Sequence, residues 1–161
     1  MDIHTTVSDA VELLKRAEAK YDAGNKDAWR ALRADARTAL TEAGLQRIGS
    51  GDYRVVYRLP NDDRVLKVAK NPLGTTENLA AADNWQQAVR LQVDEHLAEL
   101  HEHDPDGWWL LQERVSQTAP PSVQPLKHTL RDAGVSIDEI TIHNVGQRTD
   151  GSFVLFDYGG S

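Results

Sequence analysis

The chain has 161 residues and 40% hydrophobic content, enough for one ordinary core or for two small lobes that share a cleft. Eighteen lysines and arginines against 25 acids give a net charge of −7, which disfavours non-specific attraction to nucleic acid or an anionic membrane, and neither is expected as a partner. The absence of cysteine excludes disulfides, thiolate zinc sites and cysteine nucleophiles. No apolar run approaches the roughly 18 residues of a membrane span, and MDIHTTVSDA lacks the regions of a signal peptide, so a soluble cytoplasmic protein is expected. Sixteen aspartates against nine glutamates, arginine in excess of lysine, and abundant alanine and valine point to a salt-loving host.

Residues 1–44 read as a helical hairpin. Val7, Val11, Leu14, Ala17 and Tyr21 recur at three- and four-residue steps, with Thr6 placed to cap the start, and Trp29, Leu32, Ala36 and Leu40 follow the same period after the Gly24-Asn25 turn. From Leu45 the period changes to that of strands: LQRIGSG, DYRVVYRL and RVLKVAK form an antiparallel meander, the last two joined by Pro60-Asn61-Asp62-Asp63. Asn71-Pro72-Leu73-Gly74 ends the meander, and Thr75 or Thr76 can cap the helix that carries Leu79, Ala82, Trp85 and Ala88. Helix is expected to continue through HLAELHEH, and WWLLQERV reads as a buried fourth strand. SQTAPPSVQ is a connector, PLKHTLRDAG a helix with proline inside its start and glycine past its end, and IHNVGQR with SFVLFD a hairpin about Thr149-Asp150-Gly151.

Chemistry-bearing residues fall in a particular order: Gly49-Ser50-Gly51 between two strands, Lys67 on the next strand, a helix, a strand entering a connector, then Asn144 and, thirteen residues on, Asp157-Tyr158-Gly159. Over residues 45–160 this order resembles the protein-kinase-like superfamily. The resemblance implies an α+β, reduced kinase-like fold after the 1–44 hairpin: an amino-terminal lobe over 45–115 with an antiparallel sheet and one major helix, and a vestigial second lobe over 116–161 ending in a β-hairpin. It further implies that Gly49, Ser50 and Gly51 approach nucleotide phosphates through their backbone, and that Lys67 pairs with those phosphates. The backbone of Glu113 and Val115 would border adenine, while Asn144 and Asp157 would hold Mg²⁺ beside ATP. Lys70, on the opposite strand face, is solvated in this reading.

Several positions depart from the kinase pattern. The third glycine of the loop falls at Arg54, which could bind phosphate or cover the cleft. The helical glutamate that holds the strand lysine falls at Ala81, leaving Glu77, one turn earlier, as the lysine's partner. The catalytic base position is Glu139, with Asp138 beside it, and Thr141 replaces the basic residue that follows. Where a complete kinase continues past its Asp-Phe-Gly motif into a substrate-docking lobe, two residues remain here. These features favour a pseudokinase-type module that acts by binding or assembly with a protein partner, as a homo- or hetero-oligomer, in the manner of accessory proteins of viruses and mobile elements. The alternatives are a small ATP-dependent phosphotransferase on a non-protein substrate, with Glu139 or Asp138 as base, and a ligand-free structural subunit.

Overall fold

A computed structural model of the chain describes residues 2–159. Two antiparallel helices, α1 (Ile3–Asp22) and α2 (Lys26–Glu42), form the expected hairpin. Asp2, rather than Thr6, caps α1: its carboxylate accepts the His4 amide at 3.1 Å, so the helix begins four residues earlier and Thr6 lies inside its first turn. Val7, Val11, Leu14, Ala36 and Leu40 face inward as their spacing requires. Tyr21 does not; it is 49% exposed and meets Trp29 near the hairpin's turn, ring centres 5.2 Å apart.

The meander is β1 (Gln46–Ser50), β2 (Arg54–Arg58) and β3 (Arg64–Ala69), followed by α3 (Pro72–Arg90). Asn71, not Thr75 or Thr76, caps α3, its side chain accepting the Gly74 amide at 3.0 Å, because Pro72 has no N–H to satisfy and suits the first turn. Helix does not continue through HLAELHEH. Gln92 takes a left-handed φ of 60°, a single 3-10 turn spans Asp94–His96, and β4 (Leu100–His103) follows as an edge strand. Pairing with β5 (Trp109–Glu113) overrides the helical propensity of that segment, since Leu100 is buried in the strand while Glu102 stays in solvent. The sheet is antiparallel throughout, in the order β1-β2-β3-β5-β4. After the connector come α4 (Gln124–Ala133) and the hairpin of β6 (Val145–Gln147) with β7 (Phe153–Leu155). The architecture is therefore the expected α+β one, with one more strand than the sequence pattern disclosed.

Strand alternation divides the sheet into two faces. Val55, Tyr57, Leu66, Val68 and Leu111 join the α1–α2 residues in one core, so the helical hairpin covers the outer face. On the other side, Ala81, Ala82 and Ala88 of α3 meet Leu97, Leu110, Leu130, Val145, Leu155 and Tyr158 in a second core. That second core fastens the β6–β7 hairpin beneath the sheet, where the Ala98 amide donates to the Leu155 carbonyl at 2.8 Å and Ser116 pairs with Gln147. Between inner sheet face and hairpin a cleft remains. No helix among the described residues is long and apolar enough to cross a membrane.

Candidate functional site

The cleft has a volume of about 590 Å³. Its outer half is apolar: Ile48 on β1, Val56 on β2, Val65 on β3 and Val115 just past β5 form walls suited to a flat ring. Ile48 reaches this position because the β1–β2 register slips between Arg47 and Gly49, a bulge that redirects one residue. Gly49 and Gly51 line the rim, and so does the backbone segment leaving β5. Ser116 is already committed there, donating to and accepting from Gln147 at 3.1 and 2.9 Å.

The inner half is charged. Arg54, Val56, Val65 and Lys67 alternate onto the cleft face of adjacent strands, and the register sets Val56 opposite Lys67 and Val65 opposite Gln112. Lys67 is 6% exposed. Its ammonium donates to the Phe156 carbonyl at 2.6 Å, and Gln112 Nε2 donates to the same oxygen at 2.9 Å. Burial, reinforced by the positive charge of Arg54, pushes the Lys67 ammonium down to about 7, although Asp157 and Glu77 pull the other way. Arg54, 7% exposed, is held on three sides. Its guanidinium lies 3.1 Å from Glu77 Oε2, donates to Asn78 Oδ1 at 3.2 Å, and donates to Asp157 Oδ1 at 2.6 Å. Burial works to raise the Asp157 carboxyl, but the charges of Lys67 and Arg54 outweigh it and hold the group below its ordinary value. Burial raises the Glu77 carboxyl despite Arg54.

Among the residues singled out from the sequence, Gly49, Gly51, Lys67, Glu77, Glu113, Val115, Glu139 and Asp157 line this one cleft, whereas Ser50, Asp138 and Asn144 do not. Ser50 alternates outward between its glycines, and Asp138 is exposed beside Glu139. Asn144 is tied to the site through its backbone, its carbonyl accepting the Phe156 amide at 2.8 Å, while its side chain donates to the Glu139 carbonyl at 3.3 Å. Glu77 forms its ion pair with Arg54, while Lys67 donates to the Phe156 carbonyl. One carboxylate oxygen of Asp157 accepts from Arg54, and the Asn144 amide is turned to the Glu139 carbonyl. Gln112 and Asn78 were not singled out by the sequence pattern. Gln112 is a buried polar residue that follows the apolar run Trp108–Leu111, on the cleft face of β5, which is a usable signal; Asn78, fully buried on α3, carries none in its local sequence.

The Asp157-Tyr158-Gly159 turn is built by packing. Tyr158 donates its hydroxyl to the Ala98 carbonyl at 2.8 Å, and its own carbonyl accepts from Asn84 Nδ2 at 2.6 Å. A Cβ on Gly159 would lie 2.7 Å from the Glu77 carbonyl, so only glycine lets the chain pass this close to α3.

No protein-family model matches the sequence, and no curated protein does. Among solved structures, the choline kinase LicA from Streptococcus pneumoniae is similar at 10% identity over 78% of this chain and 68% of that chain, with a TM-score of 0.46. So distant a likeness carries over neither substrate nor activity.

Proposed function

We propose that the chain is a kinase-like, nucleotide-binding module of pseudokinase type, acting through binding and a protein partner rather than through phosphoryl transfer. The observation that carries this reading is the Arg54 guanidinium seated on Asp157 at 2.6 Å, inside a cleft with apolar walls at one end and buried cations at the other. An apolar slot leading to Lys67 and Arg54 matches a molecule with a flat ring and an anionic tail. Arg54 stands beside Asp157 where a metal ion would otherwise sit, and ATP is expected on this reading to bind without the metal. Glu139 lines the same cleft and favours the second reading, a small phosphotransferase in which Arg54 swings to the phosphates and frees Asp157 for Mg²⁺. A salt-loving host extends the proposal on composition, and a role in a virus or mobile element extends it on the resemblance to reduced kinase-like accessory proteins.

A thermal-melt titration with ATP, in EDTA and then with Mg²⁺, separates these readings. At a hundredfold excess over Kd, ATP should raise the melting temperature by roughly 5–10 °C. The shift should be the same with and without Mg²⁺, and Arg54→Ala should make it metal-dependent. Absence of any shift would leave the ligand-free structural subunit. Phosphate release that Asp157→Ala abolishes would establish the enzyme instead.

A further inference from the structure

A second concentration of positive charge lies on the opposite side of the sheet, where α2 crosses β1 and β3. Arg33 and Arg37 project from α2, Arg47 from β1, and Lys70 follows β3; together they line a recess of about 90 Å³ whose floor includes Tyr57. Arg37, Arg47 and Tyr57 also line an adjoining, more open hollow of about 370 Å³. Among the described residues, no carboxylate lies within ion-pair distance of any of the four cations. The acids in reach are more distant: Glu18 acts on Arg33, Asp52 on Lys70, and Glu42 borders the open hollow. Such clustering is costly in a chain of net charge −7 that has acids to spare for pairing. The cations are close enough to act on one another: after burial, the charges of Arg33 and Arg47 are the largest influences lowering the Lys70 ammonium.

Tyr57 adds a neutral donor to these cations. Its ring is packed into the core, but its hydroxyl is not a sealed, orphaned group, since no buried polar side-chain atom among the described residues lacks a partner; it opens onto the two hollows that reach it. A hydroxyl at the floor of these hollows, ringed by four cations, offers a donor to the same anion that the guanidiniums would grip. Water needs about 10–15 Å³ of such space, so the recess holds several water volumes, the bulk of a phosphate group. Guanidinium forks match phosphate oxygens in pairs.

We propose that this junction is a binding site for a small phosphate-bearing anion, gripped by Arg33, Arg37, Arg47 and Lys70 over the Tyr57 hydroxyl, and separate from the cleft. The body of a phosphomonoester would lie in the open hollow, beside Thr38 and Thr41. Lys70 also donates to the Gly51 carbonyl at 2.5 Å, which leaves two of its three protons for the anion.

The test is a titration of the full chain with inorganic phosphate, and in parallel with glycerol 3-phosphate, at low ionic strength, read by calorimetry and by amide chemical shifts. Saturable binding should move the amides of Arg37, Arg47, Tyr57 and Lys70. Arg37→Gln and Arg47→Gln should each weaken binding about tenfold and Tyr57→Phe severalfold, whereas Arg131→Gln, which removes an equal charge from exposed α4, should change it less than about twofold. Tighter binding of glycerol 3-phosphate assigns the site to an ester, and equal affinity assigns it to free phosphate. Losses as large in Arg131→Gln as in Arg37→Gln, shifts centred on Lys67 and Gln112 in the cleft, or no saturable binding would each overturn the proposal. Arg37 and Arg47 are exposed, so their variants retain the fold and the comparison stays valid.

Discussion

Lys67 shows how one residue's surroundings decide what it can do. Its ordinary value is 10.5 and in the folded chain it falls to about 7, first because it is buried and then because Arg54 stands beside it. The unfolded chain therefore holds this proton more tightly than the folded one. Between about pH 7 and 10.5 unfolding takes up a proton, so this group makes the protein more stable as pH rises through that window. Lys67→Met removes the linkage. Urea denaturation should show the variant gaining stability over the wild type at pH 7, by on the order of a few kcal/mol, with the gap narrowing toward pH 10. A gap that stays constant with pH would mean that Lys67 keeps its ordinary proton affinity in the fold. A lysine between Leu66 and Val68 was legible in RVLKVAK, but its low proton affinity was not, because that depends on its burial beneath the terminal hairpin and on Arg54, thirteen residues away in sequence and on the neighbouring strand.

At the level of elements, the helical hairpin, the meander and the terminal β-hairpin follow directly from periodicity, since each is held by contacts close in sequence. β4 was hidden because its identity comes from β5: LAELHEH satisfies a helix as well as a strand until Leu100 finds Gln112 opposite. The junction between connector and terminal hairpin is another element-level feature set by distant chain. Gly146 lets β6 press against the segment leaving β5, where a Cβ would collide with the Ser116 carbonyl and come within 2.7 Å of Val115 Cγ2. Gly146→Ala should cost about 1–3 kcal/mol in denaturant unfolding by pushing the Ser116–Gln147 pairing apart, and should widen the cleft floor at Val115. Unchanged stability, with fast-exchanging Ser116 and Gln147 amides in the wild type, would show that this pairing is not a constraint on the fold.

Across the whole molecule, one residue adds a side-chain clamp to the second core and strand pairing that hold the hairpin beneath the sheet. Arg148, beyond β6, donates to Glu113 Oε2 at 2.9 Å and Oε1 at 3.0 Å, and to the carbonyls of Glu95 and Leu97 at 2.8 and 3.0 Å. This side chain thus ties the chain just past β6 to the end of β5 and to the segment before β4. The side chain of Glu113, a residue whose backbone is expected from sequence to border adenine, holds this clamp, which no local pattern in WWLLQERV discloses. Both partners are about a quarter exposed, so solvent screening reduces the pair's worth, and Arg148→Met should cost about 2–3 kcal/mol at neutral pH. Burial acts to raise the Glu113 carboxyl, but the hydrogen bonds from Arg148 outweigh it and hold the group below its ordinary 4.5. The stabilisation is therefore complete above that value and disappears as pH falls through the lowered one. Denaturation of wild type and Arg148→Met from neutral pH down to about pH 3 should show the two curves converging in acid. If the separation between them persists at the acid end, the clamp holds through the carbonyls of Glu95 and Leu97 alone, and the ion pair contributes nothing to keeping the two halves of the molecule together.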